Sequence, residues 1–405
     1  MRARTRRGSS FLVSFALALL VPCAHAQTQG QDGKEEVLEK VDPYTHGERE
    51  ALDKAGYVSE GPFEWSEGVR TDEVAETLGA GTVLWIETAH FKIGSTLASY
   101  KLHNDNREEK ALDDQLARLK PRLQWYQPPR NRLDPWMRTH LVAQRLENVY
   151  AEFTAEFGFA GGEARTKKPA AEGAPDAIVA PKKFTVLLTE KTSSLGRYLK
   201  RYVDRESRPY DRCPLPGGSM FLGVSAEGLR TQGFDLEVAF HCVVAAEVTR
   251  NLVDGFANSY FTCPYWLEYG LAHVAARKVD ERFVPSAVVS ARANDEDAWK
   301  WEPRVRGLVQ NGVAPAWTDT LAWEKWEDMK TPGHLVSWSR VSWLLKRKPD
   351  ELRTFLVGMV KPPADRGEED HGRIGKAQQI AAARAAFGKS FEELDAQWRK
   401  AVLRN

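Results

Sequence analysis

The chain has 405 residues, with 57 Lys and Arg against 56 Asp and Glu, 42% hydrophobic residues and 28% charged ones. That is the composition of a globular protein, and the balanced charge argues against nucleic acid or an anionic membrane surface as the main partner. The length predicts two or three structural units, with 13 Trp and 17 Phe to fill their cores.

Residues 1–26 read as a signal peptide. Arg2, Arg4, Arg6 and Arg7 form a basic start, Phe11–Val21 an apolar run, and Ala24-His25-Ala26 a cleavage site. The run is too short for a permanent membrane span, and Cys23 after Val21-Pro22 matches a lipid-attachment site poorly. The product is expected to be exported, periplasmic or extracellular, with no stable membrane anchor. Loss of the four Arg leaves 53 basic groups facing 56 acidic ones. Three cysteines remain, Cys213, Cys242 and Cys263. An odd number in an oxidising compartment allows one disulfide, and the two that precede Pro in loops, Cys213 and Cys263, are the expected pair.

Residues 27–70 are polar and read as a flexible leader. Thr82–Ile93 alternates β-branched and aromatic residues, as in two short strands or one bent one. Arg107–Leu123 carries Leu112, Leu116, Leu119 and Leu123 on one helical face. Asp134 caps a further helix with Pro135 at its first position and a stripe through Val142, Leu146, Val149, Tyr150, Phe153 and Phe157. Residues 161–183, rich in Ala, Gly, Pro and Lys, read as a surface insertion. Lys183–Thr189 and Ser219–Val224 are expected strands, with a short helix over Ser194–Tyr202 between them.

Leu236–Arg277 then supplies two helices joined by a loop through Asp254–Tyr265. From about Ser290 the chain turns helical and holds 8 of the 13 Trp. Helices are expected over Leu335–Lys346, Pro349–Val360 and Gly375–Phe387, and Ser390-Phe391-Glu392-Glu393 is a capping box for the last one. The class is therefore α+β: a small mixed sheet with packed helices over residues 71–290, followed by a mainly helical region over 291–405.

The order of these elements, the motif Trp266-Leu267-Glu268-Tyr269-Gly270-Leu271-Ala272 and the tail FGKSFEELDAQWRKAVL resemble the secreted peptidase-MA-like, or gluzincin, metallopeptidase domains. The resemblance runs from about Thr82 to Leu403 and implies a zincin-like fold. In that family the apolar helix carries H-E-x-x-H, whose two His bind zinc and whose Glu activates the bound water. A Glu in W-L-x-E-G-L-A on the next helix completes the site.

None of the nine His here has another four residues on. The register that aligns both motifs without a gap puts Ala246-Glu247-Val248-Thr249-Arg250 on H-E-x-x-H, with Tyr269 following Ala246 by 23 residues. The three metal positions then hold Ala246, Arg250 and Tyr269, and only the general-base position, Glu247, is kept. Glu268 lies one residue early, about 100° round the helix. Leu236, Phe240, Val243, Glu247 and Arg250 share a stripe, so Glu247 points inward, where an unpaired carboxylate is costly. Arg250, one turn on, can supply the charge zinc would have supplied and reach Glu268.

The implied function is a zinc-less pseudopeptidase acting as a binding or scaffolding module of the cell envelope. It would need no cofactor, and it would hold a peptide or protein segment in the former cleft, with Ser219–Val224 as the edge strand for it to join. Alternatives stay open. Glu247 and Arg250 could form an ordinary i,i+3 pair, or zinc could bind through unconventional ligands in an active peptidase. A register with His241 as first ligand makes Cys242 the base and Ala245 the second ligand. His241 otherwise reads as a satisfied core histidine, and His273, one turn after Tyr269, as a structural one that could face the pocket. A Cys242–His241 hydrolase is disfavoured because adjacent helical residues point apart. The third alternative is a carbohydrate-binding envelope protein, with Trp317, Trp323 and Trp326 as candidates for an exposed sugar platform.

Overall fold

A computed structural model describes residues 39–79, 83–157, 182–256, 263–284, 299–360 and 373–404. The signal segment 1–26 lies outside them, as does nearly all of the 161–183 insertion. In chain order the elements begin with α1 (Arg49–Ala55), β1 (Tyr57–Ser59), β2 (Glu64–Ser66), β3 (Val69–Arg70) and α2 (Thr71–Leu78). There follow β4 (Leu84–Thr88), β5 (Phe91–Ser95), β6 (Tyr100–Lys101), α3 (Asn106–Leu119), β7 (Arg132–Leu133) and α4 (Pro135–Phe157). The middle of the chain gives β8 (Phe184–Thr189), α5 (Thr192–Tyr202), β9 (Tyr210–Pro214), β10 (Met220–Ser225), α6 (Ala226–Arg230), α7 (Glu237–Phe256) and α8 (Tyr265–Val279). The helical end comprises α9 (Trp301–Gln310), α10 (Trp317–Thr320), α11 (Lys330–Arg347), α12 (Pro349–Val360), α13 (Lys376–Phe387) and α14 (Phe391–Arg404).

The class is mixed α+β, as the patterning implies. A six-stranded sheet runs β1-β4-β5-β8-β10-β9. The β5–β8 and β8–β10 pairs are parallel; the others are antiparallel. Alternation decides which side chain faces which layer. Val186, Leu188, Leu222 and Val224 join one core with α4 and α7, while Leu187 and Phe221 join another with α2 and α5. Both faces are covered, which is why β8 and β10 read as unbroken apolar runs.

Three expectations change here. Residues 39–70 are folded rather than a mobile leader: Asp42, Tyr44, Thr45 and Trp65 are buried. His140 lies 3.1 Å from Asp42 and hydrogen-bonds the Tyr57 hydroxyl at 2.7 Å. Polar side chains that satisfy one another inside the fold look, in sequence, like solvated ones. The Ser219–Val224 strand is not an edge, because β9 pairs along it with Leu222 opposite Arg212 and Phe221 opposite Cys213. No disulfide joins Cys213 to Cys263; both are free and buried. Cys213 faces the α5 side of the sheet with Phe221, whereas Cys263 lies in the core on the α7 side.

The two central helices are fixed by buried ion pairs. Arg138 of α4 grips Glu237 at the start of α7 with two hydrogen bonds of 2.8 and 2.7 Å. The Glu108 carboxylate of α3 accepts the Glu237 backbone N–H at 2.7 Å, satisfying a donor the helix leaves open. Packing is continuous between α8 and the helical end. Trp266 sits edge-on to Trp317 at 5.3 Å and donates to Gln379 at 3.1 Å. Residues Val37–Asn405 make one compact unit.

Candidate functional site

The apolar faces of α7 and α8 meet along Cys242, Ala246, Ala272 and Ala276. One turn beyond this small-residue seam, side chains become charged. Arg250 donates to Glu247 at 2.7 Å and to Glu268 at 2.8 Å, with its guanidinium 4.4 Å above the Tyr269 ring. Glu247 and Glu268 are almost fully buried. The sequence placed Glu247, Arg250, Glu268 and Tyr269 together, and their side chains do converge.

Two further cations were not foreseen. Arg212 projects from β9 on the α7 side of the sheet, pairing with Asp254 at 2.5 Å and also with Glu268, and it lies 3.8 Å from Glu247. Arg373, just before α13, donates to Glu268 at 2.7 Å and to the Cys263 carbonyl, and stacks 3.3 Å over the Tyr265 ring. A signal for Arg212 existed: Pro216-Gly217-Gly218 before β10 is a hairpin loop, with both glycines at positive φ. A hairpin requires a strand ahead of it. Arg373 had no such signal, because it is separated from Glu268 by 105 residues of chain.

Among the described residues the cluster therefore holds Arg212, Arg250 and Arg373 against Glu247, Glu268 and Asp254. Burial alone would raise the Glu268 pKa, but Arg250, Arg212 and Arg373 outweigh it and hold the carboxyl down at about 2. Burial also works against the Arg250 charge, yet Glu247 and Glu268 push its pKa well above the ordinary arginine value. Every charge here has a counter-charge in contact, the condition under which buried ions are tolerated.

The remaining candidates lie elsewhere or play other parts. His273 is buried one turn past Tyr269, with Nε2 3.0 Å from Nδ1 of His334. Burial, then His334 and Arg250, lower its pKa well below the ordinary value, so it is a neutral partner in a histidine pair. His241 is fully buried, but it is not the satisfied histidine expected: neither ring nitrogen has a hydrogen-bond partner among the described residues. Burial, then the nearby Arg145 and Arg138, lower its pKa well below the ordinary value. Cys242 packs against α8 with its thiol pushed up by burial, so the pair forms no nucleophile and base. The tryptophan platform is also corrected. Trp317 is buried, and of its companions Trp323 is half-buried and Trp326 exposed.

A gluzincin zinc ion does not fit these residues. Ala246 and Tyr269 offer no imidazole or carboxylate, and Arg250 is itself a cation. The two carboxylates that could serve, Glu247 and Glu268, are engaged by guanidinium groups. Ala246, which the resemblance would put at the first ligand position, is fully buried among Cys242, Ala272 and Ala276. Comparison with known protein families, with curated proteins and with solved structures finds no match for this chain.

Proposed function

We propose that this chain is an exported, zinc-less pseudopeptidase of peptidase-MA-like ancestry that serves the cell envelope as a binding or scaffolding module. The observation that supports this most is the position of Arg250. It stands at the second ligand position of the aligned motif and donates to both the residue at the general-base position and the neighbouring carboxylate on α8. A guanidinium is a permanent cation with fixed directional donors, so it can occupy the electrostatic role of a metal without its Lewis acidity. With Glu247 committed to an ion pair, no described side chain beside it is placed to activate water.

The partner class is an extended peptide or protein segment. Its natural place is the outer edge of β9, beside the cluster. There the Arg212 N–H donates to the Asp211 carboxylate at 2.8 Å and its carbonyl accepts from Arg205 at 3.2 Å. Arg205 is half exposed, so an incoming strand displaces it at small cost. Zinc content after purification at neutral pH with added zinc tests the reading. Far less than one equivalent is expected, with no cleavage of an unfolded protein substrate. One tightly held equivalent that disappears in Glu247→Ala would sink it and restore the metallopeptidase alternative.

A further inference from the structure

A cavity lies on the other side of α7. Thr249 is two residues from Glu247, about 200° round the helix, and it lines this cavity of about 420 Å³ between α3, α4 and α8. That volume is in the range of small-molecule sites. Arg145 of α4 lines the cavity, and its Nε is buried without a hydrogen-bond partner. No described carboxylate lies within ion-pair distance of it.

The neighbours behind Arg145 do not supply the missing charge. Glu237 is committed to Arg138. His241 is kept neutral by burial and by the two nearby arginines, and burial keeps the Cys242 thiol protonated. Around the rim, Lys278 takes Glu152 at 3.1 Å and Glu156 at 4.0 Å, and Arg282 takes Asp280 at 2.8 Å. Arg107, Lys110 and Arg118 have no carboxylate partner among the described residues, and Asp114 is the one lining carboxylate there without a paired cation. The lining also carries apolar side chains from three helices, Phe153 of α4, Val274 of α8 and Leu345 of α11. A half-buried guanidinium without a counter-ion is costly, and one lining a cavity that also holds unpaired cations and apolar side chains is matched by an amphiphilic anion.

We propose that this cavity binds a single-chain amphiphile with a carboxylate or phosphate head. Arg145 holds the head from the floor and Arg118 from the rim, each guanidinium offering the paired N–H donors that such oxyanions accept. The apolar chain lies along Phe153, Val274 and Leu345. The site is independent of the ion cluster and of any peptidase ancestry.

Titration calorimetry on the whole folded chain tests this, with dodecanoate and dodecyl phosphate below their micelle concentrations. One equivalent is expected to bind for at least one of the two, and the tighter one names the head group. Arg145→Gln is expected to weaken binding at least tenfold. Arg118→Gln, at an exposed position that does not endanger folding, is expected to weaken it several-fold. Three outcomes overturn the proposal: no saturable binding of either probe, binding unchanged in Arg118→Gln, or equal binding of dodecyltrimethylammonium. Inorganic phosphate binding as tightly as dodecyl phosphate overturns the role given to the apolar side chains.

Discussion

Glu268 carries a heavier electrostatic load than any other described side chain, for three guanidinium groups from three separated stretches of chain close on one carboxylate. Its folded pKa of about 2 is below the ordinary 4.5. Its contribution is therefore present above pH 4.5 and is lost as pH falls from there through about 2. Glu268→Gln keeps the shape but leaves the cations short of one charge. The expected loss at pH 7 is about 3–5 kcal/mol, as for a broken buried pair. Urea unfolding of both proteins from neutral pH down to about 2 checks this. The gap should close on acidification; a gap independent of pH would show that Glu268 acts by packing alone.

Among the elements, α8 is tightly fixed, and Gly270 shows why. A Cβ there would come within 2.4 Å of Val341 Cγ2 and 2.8 Å of the Ser337 carbonyl oxygen, both on α11. A side chain can shift, but a helix carbonyl cannot. Gly270→Ala gains about 1 kcal/mol of helix propensity and forces α11 away at about 1–3 kcal/mol. Crowding is expected to prevail, with a lowered Tm in a thermal melt; a raised Tm would overturn this account of the seam. Much at this scale was readable in advance. The stripe of α4 is buried at Val142, Leu146, Tyr150, Phe153 and Phe157, with Val149 half-buried. Asp134 does cap that helix, with the Met137 N–H donating to it at 2.9 Å, and Ser390 and Glu393 do form the reciprocal box that opens α14. What stayed illegible was β9, whose Tyr210-Asp211-Arg212 has no apolar alternation because Arg212 serves the ion cluster and Asp211 pairs with Arg205, and the 39–70 region, whose polar residues satisfy one another. Local periodicity reports burial against an apolar core, and it is silent where burial is achieved by pairing charges.

At the scale of the whole molecule, the ion cluster and the Trp266 contacts bind the sheet, the central helices and the helical end into one unit. The three described cysteines are spread through it: Cys213 on β9, Cys242 in α7 and Cys263 ahead of α8, all free and buried. Burial raises each thiol, Cys213 to about 11. At neutral pH they are protonated and shielded, so an alkylating reagent reaches them only when the chain opens. The protein thus carries three built-in clocks that start when their surroundings come apart. Alkylation by N-ethylmaleimide, read by mass spectrometry at each position along a urea series, is expected to give one common midpoint. If Cys213 runs ahead of Cys242, the sheet edge peels away before the central helix lets go.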